Sequence, residues 1–236
     1  MQQKGKPSDQ QGKSEYLPKP YVKKRYYTPA DVRIHNTAND CWVTFFHKVY
    51  DLTPLIQDNI ESELTRPIIK AAGTDITYWF HSQTKEPRTS VDISTGLQST
   101  YCPLGLYLHV SPTGPSSEFS QSVQTPWWRD EQYCIGNLTQ KPRDIKIINM
   151  LTEHEDIIQV PSEETINEIL ERYRAINEHA ASYQWKRLGR PLNMEKTLEE
   201  NQIADEGELY ESLDIPLKEQ YIPAIHLYFK DDLTVA

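Results

Sequence analysis

Histidines and cysteines are the side chains in this sequence that could bind a metal or carry redox chemistry, but they form none of the common motifs. Cys41, Cys102 and Cys134 are far apart and odd in number, which argues against a disulfide framework and against a CxxC-type zinc or redox site. The seven histidines form no H-E-x-x-H helix. The 9 glycines form neither a nucleotide-phosphate loop nor a G-x-S-x-G elbow. The sequence therefore predicts a protein that is not an enzyme.

Charge and hydropathy restrict the partners of the chain. Its 236 residues carry 25 Lys and Arg against 34 Asp and Glu, a formal charge of −9, which disfavours nucleic-acid binding. We find no run of about 18 apolar residues and no apolar signal region, so we expect a cytoplasmic protein with no membrane partner. Residues 1–24 are basic and poor in apolar residues, which is typical of an extended tail. Residues 231–236 are predicted to be a second tail.

The ordered part of the chain begins with signals for a short helix and a hairpin. Thr28 is suited to cap a helix, and Pro29 would occupy its first position, where a missing N–H costs nothing. The segment 41–53 is dense in aromatic and β-branched residues, which favours a β-hairpin. We predict that His47 and Lys48 form its turn.

Several short motifs, in order and at suitable mutual distances, resemble the cytochrome b5-like haem-binding fold. They are Tyr26-Tyr27-Thr28, His35-Asn36, Cys41-Trp42-Val43, residues 47–53, residues 71–77 with Phe80, and the closing strand 135–138. The resemblance implies a mixed α+β domain over residues 25–140. In that family the haem iron is held between two imidazoles.

The resemblance also implies where the two haem ligands should fall, and other residues occupy both positions. The first expected position falls on Asn59, which is followed by Ile-Glu-Ser instead of Pro-Gly-Gly, and the second falls on Lys85. His81 lies four residues earlier than Lys85, about one turn if the segment is helical. His81 is the candidate iron ligand, and His81 and Tyr78 are the candidate haem contacts. We therefore expect haem to be bound weakly or conditionally.

Each candidate has a plainer interpretation. His81 could be an exposed loop histidine, and Tyr78 a core or surface aromatic. His109 alternates with apolar neighbours and is predicted on the outward face of a strand. Cys102 is a more attractive oxidant sensor than Cys41, although inert packing is the default interpretation for both thiols.

An insertion at about residues 87–128 departs from the resembled fold. It is rich in Gly and Pro and ends in Pro126-Trp127-Trp128. Because Trp is enriched at binding hot spots, the paired tryptophans could be a docking anchor. Alternatively, one of them packs on the domain while the other shields the linker.

The second half of the chain follows a different pattern of elements. Residues 145–151 and 157–160 predict two strands joined by a polar turn. A helix capped by residues 161–164 should follow, and then strands at 182–188 and 224–229. One apolar stripe of the helix is expected to face the sheet; it consists of Ile166, Ile169, Leu170 and Tyr173.

This order of elements is similar to the ubiquitin-like β-grasp fold over residues 141–230. The similarity includes Gly189-Arg190-Pro191-Leu192 and the segment 196–203. Conjugation in that family needs a terminal Gly-Gly, which residues 233–236 lack, so a modifier role is not expected. The acidic segment 205–219 could meet a basic partner or be a solvated loop.

A cytochrome b5-like domain followed by a ubiquitin-like domain resembles a family of axonemal proteins of motile cilia. That resemblance implies a place in the cytoskeleton at the radial-spoke stalk, with axonemal and radial-spoke proteins as partners. It also implies conditional haem binding and a part in the redox control of ciliary beating.

Two other functions stay open at this stage. The first is haem-dependent electron transfer, in which His81 and another side chain would replace the usual ligand pair. The second is a ubiquitin-pathway adaptor, which rests on fold analogy alone.

Overall fold

The computed structural model describes residues 26–91, 93, 96–111 and 125–229. The tails predicted at the two ends of the chain lie outside these ranges. Within them the chain forms two five-stranded sheets, a two-stranded ribbon and several short helices, which confirms the mixed α+β architecture. Among the helices of the described ranges, none has the length and apolar character that a bilayer crossing requires.

The described residues form twelve strands in three sheets. They are β1 (Tyr26–Tyr27), β2 (Asn36–Thr37), β3 (Asp40–Phe45), β4 (Lys48–Asp51), β5 (Thr89–Val91), β6 (Gln98–Thr100), β7 (Cys134–Leu138), β8 (Pro142–Asn149), β9 (His154–Pro161), β10 (Tyr183–Arg187), β11 (Arg190–Pro191) and β12 (Ala224–Phe229). Strands up to β7 lie before residue 140, and the others lie after it. We refer to the described residues 26–140 as the first unit and to 141–229 as the second unit; the domain boundaries stay a prediction.

The helices are also short. The α-helices are α1 (Pro29–Arg33), α2 (Thr53–Asp58), α3 (Arg66–Lys70), α4 (Ile166–Tyr173) and α5 (Gly207–Ser212). Single turns of 3₁₀-helix occupy Glu63–Thr65, Thr77–Trp79, Glu131–Tyr133, Glu178–Ser182 and Leu217–Glu219.

Local signals explain how the first unit begins. The Thr28 hydroxyl accepts from the Asp31 N–H at 3.1 Å, and the Asp31 carboxylate accepts from the Thr28 N–H at 3.0 Å. This capping box starts α1 where the sequence predicted a helix. The hairpin of β3 and β4 also forms, but its turn is Phe46 and His47, with φ of 46° and 60°. The predicted turn is thus wrong by one residue, because a two-residue turn of this type needs positive φ at both positions.

The first sheet is an open sheet that joins the first and last strands of the first unit. Its order is β1-β7-β4-β3-β2. Strand β7, which contains the predicted closing strand, runs parallel to β1 and antiparallel to β4, and Tyr26 pairs with Asn137. The beginning and the end of the first unit therefore lie side by side.

The core of the first unit draws on the sheet, the two following helices and the insertion. It joins Phe45 of β3 with Leu55 of α2 and Ile68 of α3. The insertion contributes the β5–β6 ribbon and, in its described parts, core residues; those core residues are Tyr107, Leu108, Val110, Trp127 and Trp128. The described parts of the insertion therefore contribute to the core of the domain and are not only a surface loop.

The second unit is a mixed sheet packed against α4. The sheet order is β11-β10-β12-β8-β9, with β12 parallel to β8 and the other neighbours antiparallel. Helix α4 begins later than predicted, because Thr165 and Glu168 form its capping box instead of residues 161–164. The predicted apolar stripe of α4 is confirmed, since all four of its members are buried in the core of this unit.

A buried ion-pair network joins the two units. Arg172 of α4 lies 2.6 Å from the Glu164 carboxylate and 2.5 Å from the Asp31 carboxylate of α1. The Arg172 and Glu164 side chains are 9% and 4% exposed. Nearby, the Thr139 hydroxyl donates to the Glu163 carboxylate at 2.6 Å. The first helix of the chain is therefore tied to the helix of the second unit.

Candidate cofactor site

The first expected ligand position lies at the end of α2 and bonds back to that helix. Asn59 is the C-terminal cap of α2, and its Nδ2 donates to the Leu55 carbonyl at 2.9 Å. Downstream, the Ser62 hydroxyl accepts from the Leu64 N–H and caps the next 3₁₀ turn. Both side chains are engaged in ending or starting helices, so this turn offers no nitrogen ligand to iron.

The second expected ligand position lies in a tight, exposed loop. The His81 N–H donates to the Glu86 carbonyl at 2.8 Å, and the Lys85 N–H donates to the His81 carbonyl at 2.8 Å. Lys85 has a φ of 57°, and its ammonium lies 6.0 Å from the centre of the Phe46 ring. The His81 and Lys85 side chains are both exposed. The backbone of His81 thus bonds to the backbones of Lys85 and Glu86, while the His81 imidazole is exposed to solvent.

Of the adjacent residues Tyr78 and Trp79, one lies on the surface and the other in the core. Tyr78 is 47% exposed, whereas Trp79 is fully buried. The two rings meet edge to face with their centres 6.3 Å apart. The phenol of Tyr78 is therefore on the surface, and the buried aromatic of this turn is its neighbour.

Three aromatic side chains from the insertion fill the interior beside these segments. We call Tyr107, Trp127 and Trp128 the aromatic plug. Trp127 is fully buried and Trp128 is 7% exposed, so the prediction of a docking anchor is wrong, and the alternative of one shielding tryptophan understates their burial. The ring centres of both tryptophans lie 5.9 Å from that of Phe80, and Tyr107 lies 4.9 Å from Trp79.

Adjacent residues can both be buried here because a turn at 127–129 sets their rings at 90° to each other, with centres 5.5 Å apart. Trp127 can then meet the edge of Phe80 while Trp128 lies beside it. Aromatic pairs in such geometries stabilise a fold by about 0.5–1.5 kcal/mol beyond the contribution of the area that they bury. The plug is therefore a structural part of the core.

Polar contacts hold the plug in place. Glu86 accepts from the Trp128 indole N–H at 3.3 Å and from Arg129 Nε at 2.7 Å. The Trp127 backbone N–H donates to Nδ1 of His109 at 3.0 Å. His109 has a φ of 66° and lies in a turn, so the prediction that it lies on a strand is wrong. Its neighbours Tyr107 and Leu108 are both buried, so the apolar residues of this segment do not mark one face of an alternating strand.

Burial sets the protonation of the groups around the plug. It raises the pKa of the Tyr107 phenol, with smaller increases from Cys102 and Glu86, and it raises the pKa of Tyr50 to about 12. Both phenols are therefore protonated at neutral pH, and neither presents a phenolate to a metal. Burial lowers the pKa of His109, so its neutral imidazole can accept the Trp127 N–H.

We expect acid to weaken the first unit through His109. Because its pKa in the folded chain lies below the ordinary value of 6.5, the unfolded chain binds the proton first as the pH falls. This contribution to stability is fully present above about pH 6.5 and is lost as the pH falls through the lower, folded-state pKa. In His109→Asn, Oδ1 can still accept the Trp127 N–H but does not titrate, and Asn tolerates a positive φ.

Urea denaturation at about pH 7.5, 6.5 and 5.5 measures this effect. The unfolding free energy of the His109→Asn variant should fall less between the first and last pH than that of the parent chain. Equal pH slopes in the two proteins would contradict the role of His109.

Three buried hydrogen-bond donors inside the aromatic cluster are the remaining groups that could contact a haem there. Within the described residues, the indole N–H groups of Trp79 and Trp127 and the hydroxyl of Tyr107 have no hydrogen-bond partner. Indole is a donor only, and the Tyr107 phenol stays protonated, so none of these groups is an iron ligand as it stands. The opening that remains beside Lys85 is a polar-rimmed cavity of about 350 Å³, lined also by Tyr50 and Trp128.

The described residues therefore do not form a haem clamp of two imidazoles. Neither expected ligand position carries a histidine, and the plug occupies the core of the domain. No cluster of three or more His, Cys, Asp or Glu suited to a metal ion occurs among the residues that the structure describes. Iron–nitrogen bonds tolerate only a few tenths of an ångström, so exposed His81 could reach a buried iron only after the loop and plug had moved.

Cys41 and Cys102 are also unsuited to fast redox chemistry. Burial, with Asp51 and Asp40, raises the pKa of Cys41 to about 12. Burial likewise raises the pKa of Cys102, which packs against the aromatic core. Because the thiolate is the reactive form, the interpretation of both thiols as inert packing is the one that the structure favours.

Comparison with known proteins places these observations in a family. The family described as "Cytochrome b5-like Heme/Steroid binding domain" matches residues 28–139. A Xenopus laevis protein named "Cytochrome b5 domain-containing protein 1" is 47% identical over 213 residues, covering 90% of this chain and 98% of that protein. The Homo sapiens protein of that name is 45% identical over 91% of this chain and 93% of its own. "Cytochrome b5" of Nicotiana tabacum is 36% identical over 22% of this chain and 38% of its own.

Proposed function

The chain belongs to the cytochrome b5 domain-containing protein 1 family, and on that premise we propose that it is a non-enzymatic structural and regulatory subunit of the ciliary axoneme. We place it at the radial-spoke stalk, with axonemal and radial-spoke proteins as partners. In this role the fold supplies shape and binding surfaces, and haem is a conditional ligand linked to the redox control of beating.

One observation supports a structural role over electron transfer. The aromatic plug fills the core beside the expected haem segments, and Asn59 and Lys85 stand where an electron carrier has its ligands. An electron carrier needs haem ligands that are already in place, because each electron transfer must leave the coordination of the iron unchanged. A domain that fills its own core is instead stable without the cofactor and can serve as a scaffold.

Haem remains part of the proposal because the first unit belongs to a haem/steroid-binding family. That membership supports haem as a ligand that is bound weakly or conditionally. When bound, haem would supply redox sensitivity. On the protein side, the contacts of Glu86 and His109 with the plug would have to be given up first.

We further propose that the second unit is ubiquitin-like. Its sheet order, with β12 in the centre between β8 and β10, and the packing of α4 on the same core support this assignment. Such a unit gives the chain a second surface for a partner next to the first.

Fractionation of motile cilia tests the proposed place and the state of the first unit together. We expect a tagged copy of the chain to stay with the detergent-insoluble axoneme and to leave it together with radial-spoke proteins on salt extraction. Haemin added to the extracted protein should give no sharp six-coordinate Soret spectrum, and His81→Ala should leave the spectrum unchanged.

Two outcomes would count against the proposal. Release of the tagged chain by detergent alone would refute its place in the axoneme. A sharp six-coordinate spectrum that is abolished by His81→Ala would instead favour haem-dependent electron transfer.

A further inference from the structure

A basic cavity lies in the second unit, at the turn between β10 and β11. It has a volume of about 550 Å³, which is within the range of roughly 300–1,000 Å³ for ligand pockets. Arg187, Arg190 and Lys196 line it, together with one carboxylate, that of Glu200. The cavity thus carries two positive charges in excess on a chain whose net charge is −9.

The cations of this cavity differ from most other lysines and arginines of the second unit because they have no side-chain partner among the described residues. Six other lysines and arginines of this unit each have a partner. They pair as follows: Lys141 with Asp205 and Glu208, Arg143 with the Ala204 carbonyl, Lys146 with Glu155, Arg172 with Glu164 and Asp31, Arg174 with Glu171, and Lys186 with the ring of Tyr228. Lys218 is the other described cation of this unit that lacks a partner, and it does not line the cavity. Like charges that converge without a counter-ion repel each other, which favours an anionic ligand.

The carboxylate in the cavity does not neutralise these cations by direct pairing. Glu200 Oε2 accepts from the backbone N–H of Thr197 at 2.9 Å and so caps the turn that follows Lys196. No ion pair joins Glu200 to a lysine or arginine in the described part of the chain.

Arg187 lines this cavity and also a second one, which Arg143 and Asp205 line as well, and it carries a buried hydrogen-bond donor. Its Nη1 is shielded from solvent and has no partner among the described residues. A buried charged donor without a partner is costly, and a carboxylate can satisfy a guanidinium through two parallel bonds. Arg190 and Lys196 are exposed and stand at the rim.

We propose that this cavity binds an acidic peptide segment of a partner protein. Carboxylates of the segment would pair with Arg187 inside the cavity and with Arg190 and Lys196 at its rim. Leu188, 82% exposed, and Pro191 offer apolar contact for the methylene groups of glutamate, which an inorganic anion lacks.

A labelled octaglutamate peptide tests the proposal with the full-length chain, by fluorescence anisotropy at low salt. Arg190→Gln and Lys196→Gln should each weaken binding about threefold, as expected for exposed ion pairs. Arg187→Gln should weaken it about tenfold or more, because it removes a buried charged donor. Lys218→Gln is the matched control and should leave the affinity unchanged.

Each alternative result would overturn the inference. An octaglutamine peptide that binds as well as octaglutamate would show that charge is not recognised. A loss of affinity in Lys218→Gln equal to that in Lys196→Gln would show attraction to the general surface only. Full displacement of the peptide by millimolar inorganic phosphate would indicate a small-anion site instead. Should Arg187→Gln not fold, the double variant of the two exposed cations, Arg190→Gln with Lys196→Gln, decides the question.

Discussion

Trp127→Ala is expected to lower the free energy of unfolding of the first unit by about 3–5 kcal/mol, the usual cost of removing a fully buried tryptophan. The side chain has no solvent exposure and lies against Phe80, Tyr107 and Trp128. Its removal leaves a cavity that neighbouring aromatic rings, held edge to face, can fill only in part. Urea denaturation followed by far-UV circular dichroism measures the loss without depending on the tryptophan signal.

Tyr78→Ala is the matched control for this experiment. It removes an aromatic side chain from the same unit, but one that is 47% exposed, so we expect a loss of about 0.5 kcal/mol. If Trp127→Ala cost no more than Tyr78→Ala, the plug would not be part of the core. The same variant also bears on conditional haem binding: if the plug limits access, the Trp127→Ala chain should take up haemin more readily than the parent chain.

Much of the fold could be predicted because it is specified by residues close together in the sequence. The capping signal of Thr28 and Pro29 acts within one turn, and the apolar spacing of Ile166 to Tyr173 fixes which face of α4 is buried. Such signals need no knowledge of the rest of the chain.

The contents of the candidate site could not be predicted in this way. Trp128 meets Glu86 across 42 residues, and the Trp127 N–H meets His109 across 18. Nothing in the spacing of Glu86, His109 or Arg129 indicates that they hold two tryptophans in the core. The one available signal was composition, since two adjacent tryptophans are unusual, and it was equally compatible with a surface anchor.

Arg172 presents the same difficulty over a longer distance. It contacts Asp31 across 141 residues, and in the sequence it is an ordinary basic residue in the last turn of a helix. In the structure it lies between two carboxylates and is almost buried. Burial alone would lower the pKa of its guanidinium, but the bonds to Glu164 and Asp31 more than offset this and raise that pKa.

Arg172→Ala is therefore expected to destabilise the chain by about 3–5 kcal/mol, the range for removing one partner of a buried ion pair. The cost arises because the Glu164 carboxylate, 4% exposed, loses the guanidinium that compensates its burial. The Asp31 carboxylate loses its contact across the two units at the same time. We expect the two units to unfold less cooperatively, which thermal denaturation would detect as a broadened or split transition.

Arg174→Ala separates this effect from a general loss of charge on α4. Arg174 lies two residues further on and pairs with Glu171 in an exposed ion pair, with side chains 49% and 64% exposed. Such pairs contribute about 0.2–1 kcal/mol, because water screens them and ordering two long side chains costs entropy. Equal losses in the two variants would mean that the network between the units adds nothing beyond surface electrostatics. A large loss confined to Arg172→Ala would mean that the buried guanidinium of Arg172 is a main stabilising contact between the units, beside the hydrogen bond from Thr139 to Glu163.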